Sequence, residues 1–179
     1  MEVCIGRRGL RVSWRKTEYM CVNEKELQEE ELKKVKELKY LGSEVQSNGK
    51  CDGEVRHRIQ AGWQGWRKVS GVLCDKRLSA RVKGRVCKTA VRLAMTCSLE
   101  TVALNRRHVN ELELAELKMM RWALGVTILD RRRSDFIKGT GRITKFGKKV
   151  RSARLRWFGQ VKRLEEGCFG KRVLKMKLP

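Results

Sequence analysis

Proline is nearly missing: Pro179, the last residue, is the only one. Nothing inside the chain removes an amide donor, so helices can run unbroken, and a proline-rich linker architecture is excluded. Histidine is almost as scarce. With His57 and His108 alone, a Ser/His/Asp or Cys/His catalytic arrangement has little material. No apolar run approaches the ~20 residues of a transmembrane helix. The opening MEVCIGRRGLRVSW lacks the apolar core and small-residue cleavage site of a secretory signal. CxxC pairs are absent too. Seven cysteines stand at 4, 21, 51, 74, 87, 97 and 168, an odd number that argues against a disulfide scaffold. The Cys51–His57 and Cys87–Cys97 spacings do not fit a zinc finger. The thiols are therefore read as reduced, small apolar residues.

What the chain has in abundance is positive charge. Its 179 residues carry 43 Lys and Arg against 20 Asp and Glu, a formal net charge of +23. Residues 1–50 are net +2, residues 51–120 net +7 and residues 121–179 net +14. A field rising toward the C-terminus favours polyanions, because each cation placed on a phosphate releases condensed counterions. Nucleic acid is the first candidate and an anionic membrane surface the second. A solvated basic face with no ligand is the plain alternative.

Local patterns organise the chain. Residues 10–22 suit a half-buried strand, with Tyr19, Cys21 and Val22 as its apolar positions. Residues 24–37, charged almost throughout, fit a short solvated helix or an exposed excursion. Residues 38–46 read as a second strand, closed by the turn signal Ser47-Asn48-Gly49. From Asp52, a cap residue, the period becomes helical: Val55, Ile59, Trp63, Trp66 and Val69 form one stripe, with Arg56, Arg58, Arg67 and Lys68 largely off it. Gly62 and Gly65 weaken this helix but allow another backbone to come close. Ser79 caps a second helix with Val82, Val86, Ala90, Leu93 and Cys97 on its apolar side. A third starts after Asn105, runs through Leu112, Ala115, Met119, Trp122 and Ala123, and stops at Gly125. Its early acids, Glu111, Glu113 and Glu116, suit the positive end of the helix dipole. Residues 125–147 read as a connector containing Arg131, Arg132 and Arg133, which fan out if helical and can converge on phosphate if in a loop. A last helix carries Val150, Ala153, Trp157, Val161 and Leu164, crowded by Lys148, Lys149, Arg151, Arg154, Arg156, Lys162 and Arg163.

Chemistry on a phosphodiester needs clustered carboxylates to hold Mg²⁺. Acids are sparse after position 116, and Asp130 and Asp135 sit among arginines, where ion pairing is the simpler role. Gly139-Thr140-Gly141 lacks the rest of a phosphate-loop pattern. No catalytic residue, metal ligand or cofactor is expected.

Several stretches resemble one family. Lys16-Thr-Glu-Tyr-Met20, Leu38-Lys-Tyr-Leu-Gly-Ser43, Ser47-Asn-Gly-Lys-Cys-Asp52 and Ser70-Gly-Val-Leu-Cys-Asp-Lys-Arg77 come first. Glu100-Thr-Val-Ala-Leu104, Met119-Met-Arg-Trp122, Gly125-Val-Thr127, Leu129-Asp-Arg131 and Leu155-Arg-Trp-Phe-Gly159 follow in the same order. Together, across about residues 10–166, they resemble the late palm, primer grip, thumb and connection of a non-LTR (LINE-type) retrotransposon reverse transcriptase. The resemblance implies a helical thumb that grips a template–primer duplex, with RNA or an RNA–DNA duplex as partner. It assigns Lys39, Tyr40, Leu41, Gly42 and Ser43 to a primer-grip-like turn. The family's Tyr/Phe-Ala-Asp-Asp motif lies upstream of the part that matches, so a non-catalytic fragment is expected. Thr96 and Cys97 replace an aromatic–glycine pair, Val102 a Trp and Gln160 a His, a drift that fits a decayed or domesticated copy.

The resulting expectation is a mainly α chain, a helical thumb-like bundle preceded by a short β-hairpin. Its segments are 1–50 (late palm-like), 51–125 (thumb-like) and 126–179 (basic connection). It is not an enzyme, has no membrane partner, and resides in a reducing compartment, nucleus or cytoplasm. Sequence-independent phosphate contact is assigned to Arg131, Arg132, Arg133, Lys148, Lys149, Arg151, Arg154 and Arg156. The alternatives are a helical protein-interaction module anchored by Trp63, Trp66, Trp122 and Trp157, or a transposon remnant with no selected function.

Overall fold

A computed structural model describes residues 13–21, 32–40 and 43–175. It is mainly α, and among the described residues strands occur only toward the N-terminus. The chain divides into two compact units, Met1–Glu54 and Val55–Pro179.

Among its described residues, the first unit contains four short strands. β1 (Glu18–Tyr19) pairs in parallel with β2 (Lys33–Lys34), and the Lys33 ammonium donates to the Glu18 carboxylate at 2.9 Å. A helix reaching 37 is therefore not formed: long-range pairing takes Lys33 and Lys34 out of it, while 22–31 lie outside the described residues. β3 (Glu37–Tyr40) and β4 (Ser43–Gln46) pair antiparallel, Glu37 opposite Gln46 and Tyr40 opposite Ser43. The single strand expected over 38–46 is thus a hairpin that reverses between Tyr40 and Ser43. The turn expected after it does form: Gly49 has φ +68° and donates its N–H to the Gln46 carbonyl at 3.0 Å. The first residues of α1 (Asp52–Lys68) belong to this unit. There the Glu54 carboxylate accepts from the Glu44 amide at 2.7 Å.

The second unit is helical. After α1 come α2 (Ser70–Leu73), α3 (Ala80–Val86), a wide π turn (Cys87–Val91), α4 (Arg92–Thr96) and α5 (Arg106–Leu124). Then follow α6 (Ser134–Thr140), α7 (Phe146–Lys162) and α8 (Phe169–Lys175). α6 and α8 are two helices that the patterns did not show. Both α6 and α7 pack on α5. One core runs through Val55, Trp66, Val91, Met95, Leu112, Met119, Ile137 and Phe146.

The local signals explain the helix ends. The Ser79 hydroxyl accepts from the Val82 amide. The Asn105 side chain accepts from the His108 amide at 2.8 Å, and His108 Nδ1 accepts from the Asn105 amide at 3.4 Å, a reciprocal cap. Gly125, at φ +66°, closes α5 in the left-handed conformation. Gly65 does admit another backbone, since a Cβ there would press on the Ala90 carbonyl, whereas the group that closes on Gly62 is the Met95 side chain.

The stripe expected for the second helix is wrong. Leu93 is 59% exposed, and Val82 and Cys97 are exposed too. The buried positions are Lys83, Gly84, Cys87, Val91, Arg92 and Met95. Two charged residues point inward, so reading charge as outward rotates the helix to the wrong face. Arg58, expected off the stripe of α1, is likewise buried, and Leu164 is exposed.

Candidate nucleic-acid interface

The basic surface rests on an internal ionic frame. Arg92 reaches Glu116 through two hydrogen bonds of 2.5 Å and turns its remaining donors to the hydroxyl and carbonyl of Thr144, at 3.1 and 2.7 Å. Its guanidinium also lies over the Phe146 ring, 5.8 Å from the centroid. This one side chain fixes α4, α5 and the start of α7 together. Lys83 acts similarly from α3: its buried ammonium donates to the Ala123 carbonyl at 2.8 Å, at the negative end of α5. Neither cation is available to a ligand. Cys87 lies in the same interior. Burial, and next the Glu116 charge, push its thiol up to about 12, against the opposing pull of Arg92.

On this frame sits the loop that carries Arg131, Arg132 and Arg133, all exposed. It is a loop leading into α6, not a helix, and it is held in shape. Asp130 accepts from both the amide and the hydroxyl of Thr127, at 2.6 and 2.8 Å. Those two bonds, the hydroxyl's first, keep the Asp130 carboxyl below its ordinary range. From α5, Arg121 donates to the carbonyls of Thr127 and Arg132, at 3.3 and 3.0 Å. Arg131 itself adopts φ +48°, a region that costs an L-residue roughly 1 kcal/mol. Arg132 packs its guanidinium over Phe136, 5.2 Å from the ring centroid.

α7 presents Lys148, Lys149, Arg151 and Arg156 to solvent. Lys149 and Arg156 are seven positions apart, so they share a face about 10 Å apart along the axis. Arg154 is different. It is half-buried and donates to the Val102 carbonyl, so part of its guanidinium is spent inside the fold. Apart from Arg154, and from Arg132, whose charge helps hold the Asp130 carboxyl down, none of the eight assigned cations has an acidic partner or a backbone contact for its side chain among the described residues. Between 131 and 163 the only acid is Asp135.

The primer-grip-like residues lie in the first unit. Lys39 and Tyr40 end β3 and Ser43 begins β4, while Leu41 and Gly42 are outside the described residues.

A feature that the patterns missed is Trp122. It falls among the apolar positions expected for the third helix, yet it is 64% exposed. The buried residues of α5 are His108, Leu112, Ala115, Glu116, Met119, Met120 and Ala123, and Trp122 stands roughly a quarter-turn from their centre. Its ring is braced by Trp63 at 5.5 Å and Trp66 at 5.8 Å. The Trp66 indole is itself tied to the Met119 carbonyl at 3.2 Å.

Among the described residues, no group of three or more His, Cys, Asp or Glu side chains could hold a metal ion. Among the same residues, no helix is long and apolar enough to cross a membrane. No protein-family model, curated protein or solved structure matches the chain.

Proposed function

We propose that this chain binds RNA or an RNA–DNA duplex without sequence preference, through phosphate contacts, and does no chemistry on it. The observation that carries the reading is the set of exposed cations at two places on the helical unit: the Asp130-shaped loop at 131–133, tied to α5 through Arg121, and the Lys149–Arg156 face of α7, which packs on α5. Cations held this way neutralise phosphate and read no base edge. The ordered motifs that resemble a non-LTR reverse transcriptase favour the same partner, with the chain as a non-catalytic, thumb-and-connection-like piece of such an enzyme.

A salt titration of binding to an RNA–DNA hybrid tests this. Log Kd is expected to rise steeply with log salt, and Lys149→Gln with Arg156→Gln should lower the slope by roughly one per cation removed. A slope near zero overturns the proposal. A second reading, a protein-interaction module, draws on Ile128 and Leu129, which stand 83% and 89% exposed, Ile128 lining a groove with Trp122. A stable complex or oligomer indifferent to nuclease and salt would favour it.

A further inference from the structure

Phosphate contact gives no role to an exposed tryptophan braced by two others. Trp122 borders two grooves. One, about 510 Å³, has Lys118, Arg121, Val126 and Ile128 among its walls. The other, about 580 Å³, has Cys74, Lys76, Leu78 and Lys83. Lysine or arginine lines each groove, and no carboxylate lines either. Arg121 and Lys83 are committed to backbone carbonyls. Lys118 and Lys76 are exposed, with no acidic partner among the described residues.

We infer that Trp122 is a stacking platform for an unpaired nucleobase, with Lys118 and Lys76 taking the flanking phosphates. Three observations lead there. The ring is held in place before any ligand arrives, because Trp63 and Trp66 pack against it. The apolar ring lies between cations of one sign, which complements a strand whose bases are apolar-faced and whose backbone is anionic. A base inside a duplex already has stacking partners, so an aromatic platform favours single-stranded nucleic acid, where bases can be splayed out. The inference rests on the phosphate-binding reading and sharpens it: the chain takes a single-stranded segment at α5 as well as backbone along α7.

The test compares an oligouridylate with an abasic ribose–phosphate oligomer of equal length across a series of salt concentrations, by fluorescence anisotropy. The full chain is expected to bind the base-bearing strand about tenfold more tightly, in line with the loss seen when a stacking aromatic is truncated. Trp122→Ala should abolish that difference, and Trp122→Phe should keep most of it. Lys118→Gln should weaken both ligands alike. Circular dichroism and thermal melting establish that each variant is folded. Equal binding of the two oligomers by the unaltered chain overturns the inference, as does a folded Trp122→Ala variant that keeps the difference. If both oligomers bind equally but salt-dependently, the stacking platform alone fails. If neither shows salt dependence, the phosphate reading fails with it.

Discussion

Arg92 and Glu116 face each other across the interior of the helical unit, joined by two hydrogen bonds of 2.5 Å, with almost no side-chain surface left to solvent. Removing one member leaves the other charge buried without its counterion, which costs far more than the pair contributes. Arg92→Met or Glu116→Leu alone is expected to destabilise by about 3–5 kcal/mol. The double replacement Arg92→Met with Glu116→Leu should recover most of that loss. Urea unfolding of the four proteins forms the cycle, and additive losses would contradict the account.

Gly84 and Gly139 should respond to alanine in opposite directions. On propensity alone, Gly→Ala inside a helix gains up to about 1 kcal/mol. A Cβ on Gly84 would run into the Gly141 backbone, whereas one on Gly139 meets nothing within 4 Å. Gly84→Ala is therefore expected to lose about 1–3 kcal/mol through overpacking, and Gly139→Ala to be neutral or mildly stabilising. Thermal melts of the two variants decide it.

Cysteine reactivity should divide by position. Cys87 is buried, with its thiol pushed up to about 12, while Cys74 and Cys97 are exposed. Alkylation at pH 8 followed by peptide mass spectrometry should label Cys74 and Cys97 and spare Cys87 until denaturant is added, because the thiolate is the reactive form. The same shift has a sign in stability. The folded state holds the proton more tightly, so its contribution is complete below the unfolded thiol's range and fades as pH rises from there toward 12.

Glu113 joins α5 to α6 and α7, accepting from the Lys138 ammonium at 3.2 Å and the Gly147 amide at 3.1 Å. Partial burial raises its pKa, but the Gly147 bond and then Lys138 outweigh this, leaving it below 4.5. A depressed carboxylate stabilises the fold fully above its unfolded value and loses that contribution as pH falls through the folded one. Urea midpoints should therefore drop below about pH 4.5, and Glu113→Gln should flatten that part of the profile while lowering stability at neutral pH.

The parts of the fold that could be read from residues are those that adjacent residues decide. Ser79, Asn105 and Gly125 set helix ends through bonds or backbone angles within a few positions, and Gly62 and Gly65 announce a close approach by what they lack. The inward turn of Lys83, Arg92 and Glu116 was not legible. Each charge is tolerated inside only because a partner more than twenty positions away satisfies it, and no local period encodes that partner. The pairing of Lys33–Lys34 with Glu18–Tyr19 escaped for the same reason. At the candidate interface, the 131–133 cluster was plain from composition, but its Asp130–Thr127 brace was not. Arg154 cannot be told from Arg156 without seeing the Val102 carbonyl. Trp122 looked like core because hydrophobicity alone does not mark the edge of a stripe.

The wide turn at Cys87–Val91 sits in a stretch whose register has no slack. A residue advances an α-helix by about 100°, so Gly84, Cys87, Val91 and Met95, spaced three and four positions apart, gather on one side, and that side is the buried one. Excising Thr89, exposed though it is, would turn Val91 and Met95 away from the face that Gly84 and Cys87 share. Position at the surface is thus no licence for length variation in this unit: a residue out in solvent still sets the aim of every side chain after it.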